Sequence, residues 1–314
     1  MHLVDTFYLV KPFIPRRMQL ALRSAVIRRK RSRYVDQWPI DPTAGETPSG
    51  WAGWPEGKKF AVVLTHDVDT ARGHARCQQL TKLEDRMGFR SSFNFVPERY
   101  AVSETLRNEL TFNGFEVGVH GLRHDGNLFA SRGKFLEEAV QINRYIKEWN
   151  AVGFRSPCMF HNLEWIADLS VEYDASTFDT DPFEPQSDGV GTIFPFMVGS
   201  GARVYVELPY TLAQDFTLFI LMRERSIDIW KKKVDWIVQR GGMVLVNVHP
   251  DYMCFDPEKP GLEEYPVQLY VDLLTYLRTA YEGQYWHALP RDAARFWRER
   301  MHLRNIVSCT ASWK

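Results

Sequence analysis

No stretch of this sequence approaches the roughly 18 to 20 consecutive apolar residues that a membrane-spanning helix needs. Cysteine is scarce: the four residues, at positions 77, 158, 254 and 309, form no C-x-x-C pair and show no regular spacing. That argues against a disulfide framework and for reduced thiols in a reducing compartment. Net charge is absent overall, with 39 basic and 39 acidic residues, so nothing global calls for a nucleic-acid partner. No G-x-G-x-x-G turn follows the first apolar strand, which disfavours a dinucleotide-binding sheet. There is no internal repeat. The opening residues MHLVDTFYLVKPFIPRR make a poor secretory signal, because Pro12 and Pro15 break the apolar stretch and the charges follow it. The expected location is the cytoplasm.

Acidic residues are missing locally as well. Between Thr6 and Val35 there are none, against nine Lys or Arg, so the rest of the chain carries nine excess negative charges. Within RRMQLALRSAVIRRKRSR, Met18, Leu22 and Val26 recur at helical spacing among arginines. This predicts a basic amphipathic helix. Two readings stay open for it. Residues 13–33 could lie on an anionic membrane face, peripheral to the inner membrane, or the apolar stripe could pack on the protein's own body while the arginines are solvated. Residues 36–59, rich in Pro, Gly, Trp and Thr, read as an irregular linker.

What is present from Phe60 onward is a regular alternation. FAVVLT (60–65), SSFNFV (91–96), FEVGVH (115–120), AVGFRS (151–156), VYVELP (204–209) and GMVLVNVH (242–249) read as buried strands. Helical patterns fall between them, at about 74–88, from the Ser103 cap to Gly114, at 135–149, in NLEWIADL, and at 227–240; a further one follows at about 264–281. Such alternation means parallel strands joined by helical crossovers. The segment 176–202, rich in Asp, Pro, Gly and Phe, breaks the pattern and is a candidate substrate loop, with 207-ELPYTLAQDFTLF-219 expected beside it at the pocket. At this length the alternation fits a β/α barrel or an open doubly wound sheet, with residues 1–59 expected as helix and linker packed on or beside it, residues 60–300 as that domain, and residues 301–314 as a tail.

The chemistry-bearing residues fall at the C-terminal ends of these strands, where β/α folds place their sites. In 120-HGLRH-124, His120 and His124 at i and i+4 would share one face of a helical turn, close enough to hold one metal ion. In 65-THDVD-69, Asp67 and Asp69 are two apart and face one side of an extended chain; one could complete the metal site and the other act as general base. His66 points the other way and reads as structural. Arg155 of 154-FRSP-157 offers a bidentate clamp for a carboxylate. His249 of 246-VNVHPDY-252 ends a strand and could protonate a departing amine.

The order T-x-D, H-x-x-x-H, R-x-P, a mid-chain Asp segment and a strand ending in His resembles the NodB-homology polysaccharide deacetylases, carbohydrate esterase family 4, over about residues 60–290. The resemblance implies a distorted (β/α)7 barrel of the glycoside hydrolase/deacetylase type and a divalent metal, usually zinc. It implies metal-binding roles for His120 and His124, the general-base role for Asp67, its orientation by Arg155, and the general-acid role for His249. The family's usual metal-binding aspartate would align with Val68, so the metal role passes to Asp69, with the reverse assignment of Asp67 and Asp69 still open. The usual fourth motif is replaced by 178-FDTDPFEP-185, which makes Asp181, or Asp179, the expected partner of His249. The implied activity is removal of an acetyl group from an N-acetylated amino sugar in surface-polysaccharide or glycolipid synthesis. Relatives that hydrolyse other linear or cyclic amides, and a degenerate glycan-binding barrel, are the alternatives.

Overall fold

A computed structural model describes residues 15–311 apart from positions 202, 257, 259 and 260, with side chains described through 301. Residues 1–14, which include the start of the expected membrane-contact segment, and residues 312–314 of the expected tail lie outside the described residues. Helix α1 (Arg16–Arg31) leads into the irregular linker. The barrel begins with β1 (Phe60–Val68), all nine residues of which are buried, as a strand covered on both faces must be. Then follow α2 (Ala71–Met87), β2 (Ser92–Phe95), α3 (Glu104–Phe112), β3 (Glu116–His120), α4 (Arg132–Glu148) and β4 (Gly153–Arg155). A single-turn helix α5 (Leu163–Ile166) precedes β5 (Tyr173–Asp174), the hairpin β6 (Phe196–Ser200) and β7 (Arg203–Glu207), α6 (Asp228–Arg240) and β8 (Met243–Val248). The short strands β9 (Met253–Cys254) and β10 (Tyr265–Pro266) pair with each other, and α7 (Gln268–Ala280), β11 (Tyr285–Ala288) and α8 (Pro290–Ala311) complete the described residues. Among the described residues no helix is long and apolar enough to cross a membrane.

The parallel strands run in the order β8-β1-β2-β3-β4-β5-β7. Val62–Val244, Thr65–Ser92, Asn94–Gly118, Val119–Phe154, Phe154–Asp174 and Asp174–Glu207 are register pairs along it. The ring is drawn together where the chain leaving β7 reaches β8: Leu212 bridges Val246, and Thr211 N donates to Leu245 O at 3.1 Å. This seam is a bridge rather than a ladder, and the barrel is distorted there. The expected α/β class and (β/α)7 arrangement are the ones observed. β11 adds to the first half of β1, and β6 pairs antiparallel outside β7, so the C-terminal part of the expected substrate loop is in fact one arm of a hairpin.

Helix starts follow local chemistry. The Ser103 hydroxyl accepts from Leu106 N at 3.2 Å, capping α3 as expected. Ser131 does the same for Lys134 N, and α4 starts one turn earlier than its hydrophobic pattern suggests. The linker wraps the N-terminal end of the barrel. The Trp51 ring meets Trp54 edge-on at 4.8 Å and lies tilted against Trp297 at 4.7 Å, and Trp54 Nε1 donates to Gly241 O at 2.8 Å.

Helix α1 packs at the opposite, C-terminal rim. Leu20, Ser24 and Ile27 are buried against the body, Arg16 pairs with Glu263, Arg31 pairs with Glu224, and the Arg23 guanidinium lies 5.1 Å from the Phe216 ring. The stripe Met18, Leu22 and Val26 is not the packed face; it is turned to solvent.

Candidate active site

The strand ends converge. Alternation along β1 sends His66 outward from the barrel axis, where its Nε2 meets Glu84 Oε1 at 2.8 Å, fully buried and structural. Asp67 points inward and is held from three strands. Its Oδ1 accepts from Asn94 Nδ2 at 3.0 Å and Arg155 Nη1 at 3.3 Å, and its Oδ2 from Asn247 Nδ2 at 2.9 Å. Burial alone would raise the Asp67 pKa, but Arg155, His120, His249 and the Asn94 hydrogen bond outweigh it and hold the carboxyl down at about 2. It is an ionised base at any ordinary pH.

Arg155 does not clamp Asp67 with two bonds. Its Nη1 is shared between Asp67 and Thr65 Oγ1, 2.7 Å away, and its Nε donates to Ala175 O at 2.7 Å. A fully buried guanidinium spreads its donors over the acceptors around it, here Thr65 and Asp67 on β1 and Ala175 just past β5.

Asp69 stands one step beyond β1. Its Oδ1 lies 3.0 Å from His124 Nε2 and 3.4 Å from His120 Nε2, and is a buried oxygen with no hydrogen-bond partner. The ligand atoms of Asp69, His120 and His124 all lie within 4.8 Å of one another. Asp67 Oδ2 is farther from His120 Nε2, at 4.0 Å. The His120 ring donates from Nδ1 to Arg155 O at 3.0 Å, which leaves its Nε2 lone pair aimed at the cluster. One carboxylate and two imidazoles with a shared focus fit a divalent metal ion.

The histidines do not sit on a helical turn. Gly121 has φ of +59° and His124 +58°, so the chain bends sharply after β3. A Cβ on Gly121 would meet the Pro157 ring at 2.5 Å, so only glycine allows the bend to pass that close. The backbone of Asp69 is fixed too. Its N donates to Asp251 Oδ2 at 2.9 Å, and the Tyr252 hydroxyl donates to Asp69 Oδ2 at 3.3 Å.

Across from this cluster, at the end of β8, stands His249. Its Nδ1 is 2.7 Å from Asp215 Oδ1, and its backbone N donates to Asp215 Oδ2 at 2.8 Å. Tyr265 adds a third donor to Asp215 at 3.0 Å. Burial alone would lower the His249 pKa; Asp215 overrides it and lifts the imidazole to about 10, so the ring is an imidazolium at neutral pH.

The expected partners of His249 lie elsewhere. Asp181 accepts from Tyr210 OH at 3.0 Å, and burial followed by the neighbouring Glu184 pushes its carboxyl up to about 8. Asp179 forms a buried ion pair with Lys233. The 178–185 segment is a structural knot, because two buried acids there already have their own donors. Asp215 was missed as the His249 partner because it lies in no recognisable motif, although it falls inside the 207–219 stretch expected to line the pocket.

No protein family model matches the chain, and the comparison with curated proteins found no match. Solved structures are similar in fold. One, described as a polysaccharide deacetylase from Mycobacterium smegmatis, superposes with a TM-score of 0.61 at 20% identity, over 81% of this chain and 96% of that one. Another, described as a polysaccharide deacetylase from Pseudomonas aeruginosa PAO1, gives 0.59 at 14% identity, over 78% and 93%. Puue allantoinase gives 0.58 at 14% identity, over 83% and 97%. At these identities the likeness is one of fold.

Proposed function

We propose that this protein is a metal-dependent amide hydrolase that removes an acetyl group from an N-acetylated amino sugar, carried on a nucleotide or a lipid in surface-glycan synthesis on the cytoplasmic side. The observation that carries the reading is the presence of two devices at one rim of the barrel. On one side Asp69, His120 and His124 share a focus; on the other the His249–Asp215 pair holds a proton. Asp67 lies between them, within Coulomb reach of both His120 and His249.

Asp69, His120 and His124 would hold the ion, which in such a site lowers the pKa of water and polarises an acyl carbonyl. Asp67 accepts the proton that water gives up as its oxygen bonds to the acetyl carbon. Asn94, Asn247 and Arg155 keep that carboxylate from turning away. His249 donates its proton to the sugar nitrogen as the C–N bond breaks, giving acetate and a free amine. Asp215 keeps the ring oriented and cationic until that moment.

The same three groups would open another linear or cyclic amide equally well, since nothing in the chemistry is particular to acetyl. The fold shared with an allantoinase favours keeping that reading second. The test is acetate release from N-acetylated oligosaccharides and nucleotide-linked N-acetyl amino sugars, before and after chelation and after return of zinc. Release that survives exhaustive chelation, or full activity in His249→Ala, would overturn the mechanism. Hydrolysis of a cyclic amide without acetate release would move the assignment to the second reading.

A further inference from the structure

We propose that the outward face of α1 is a docking surface for an anionic lipid bilayer. Met18, Leu22 and Val26 are 57%, 50% and 56% exposed, and they follow one another at four-residue spacing along one face of the helix. The residues that pack, Leu20, Ser24 and Ile27, lie roughly opposite on the helix wheel. This helix therefore has two apolar faces, and only one of them meets the protein.

Three contacts tie the helix to the body. Arg16–Glu263 and Arg31–Glu224 pin the two ends, and Arg23 rests on Phe216. The apolar stripe is presented as a preformed surface rather than as a helix that must order on contact. Its borders are basic: Arg17, Arg28, Arg29 and Arg33 are exposed, and α1 contains no acidic residue. Leu262, beside the Glu263 that holds Arg16, is exposed as well.

Large aliphatic side chains framed by arginines match the boundary between lipid headgroups and acyl chains, where the stripe sinks in and the guanidinium groups meet phosphates. A nucleic acid would use the arginines but not the exposed Met, Leu and Val. A protein partner would use the stripe but does not require a border of one sign. The helix lies on the rim that bears the site, because Phe216 directly follows Asp215, and Lys30 donates to Pro182 O. Docking would turn that rim toward the bilayer.

The experiment is co-sedimentation of the full chain with vesicles of phosphatidylcholine alone and of phosphatidylcholine mixed with phosphatidylglycerol, at low and high salt. The expected result is binding to the mixed vesicles only, weakened by salt. It should fall by roughly tenfold or more in the triple variant Met18→Glu, Leu22→Glu, Val26→Glu. The variant Arg17→Gln, Arg28→Gln, Arg29→Gln should also bind less, because the border charge is reduced. All six positions are exposed, so melting temperature is expected to match the unmodified chain and to show that both variants fold. The proposal is overturned if the unmodified chain stays in the supernatant with both vesicle types, or if the glutamate variant binds as well as it does. A dimer in light scattering that the glutamate variant splits, with no vesicle binding, would assign the face to a second copy instead. Partition is read without turnover, so a failed deacetylase assignment would leave this result standing.

Discussion

The Nδ1 atom of His249 lies 2.7 Å from Oδ1 of Asp215, and the other oxygen of that carboxylate is bonded to the backbone N of the same histidine. One side chain thus fixes both the ring and the strand end that carries it. Asp215 is the reason a histidine that burial would neutralise is instead an acid with a pKa near 10. In Asp215→Asn the carboxylate charge is gone and the His249 pKa falls. The protonated fraction is then lost at lower pH, so the alkaline limb of the kcat profile should move to lower pH, with kcat at its maximum reduced roughly a hundredfold or more. A pH–rate profile checks this; an unmoved alkaline limb would separate His249 from the proton-donating step.

The Asp69, His120 and His124 cluster makes a prediction independent of turnover. Asp69→Asn keeps the size of the side chain and its Tyr252 contact but removes the charge that the two imidazoles face. Metal content of the purified protein, read by elemental analysis, should fall from near one per chain to a small fraction, with little change in far-ultraviolet circular dichroism. Asp67→Asn should retain far more metal, since Asp67 Oδ2 sits 4.0 Å from His120 Nε2 and is already bonded to Asn247. Equal loss in both variants would give Asp67 a ligand role.

Much of this was legible in advance, for a definite reason. Strands buried on both faces are written as continuous apolar runs, and the residues that end them sit at one rim of the barrel. Asp67, Asp69, His120, Arg155 and His249 could therefore be seen as neighbours without coordinates. Asp215 could not. It begins a π-helical segment, Phe216–Leu221, and its meaning comes from a histidine 34 residues later. Strand β5 is only two residues long and gives no periodic signal. The helical turn expected for 120–124 failed on backbone sterics at Gly121. The packed face of α1 was not legible, because Leu20 and Ile27 form a second apolar stripe that spacing alone does not rank against Met18, Leu22 and Val26.

Gly73 offers a test of how Asp69 is supported. It lies in the first turn of α2, where alanine would ordinarily stabilise by about 1 kcal/mol. Here a Cβ would stand 2.0 Å from Asp251 Oδ2, the atom that accepts from Asp69 N. Asp251 also accepts from Gly73 N at 3.3 Å and from the Thr70 hydroxyl, so it cannot move without loosening the helix start. Gly73→Ala should therefore lower the melting temperature and weaken divalent-metal binding by roughly tenfold or more, although it touches no ligand. Competitive chelator titration reads the second effect. Unchanged metal affinity would show that Asp251 does not set the position of Asp69.

Glu116 places the pH dependence of stability at a group far from this chemistry. It is fully buried at the start of β3, where burial lifts its pKa from 4.5 to about 7 against the opposing hydrogen bonds from Arg291 N and Tyr173 OH. Raised in the folded state, it favours folding fully below pH 4.5, where both states are protonated. That advantage is lost as the pH climbs through about 7, because the unfolded chain ionises first. Glu116→Gln removes the titration. Urea unfolding across this range should show the unmodified protein losing roughly 3 kcal/mol more than the variant between the two limits. Parallel stability curves would mean that the carboxyl is ionised in the fold, and that Tyr173 and Arg291 hold it as a carboxylate rather than as an acid.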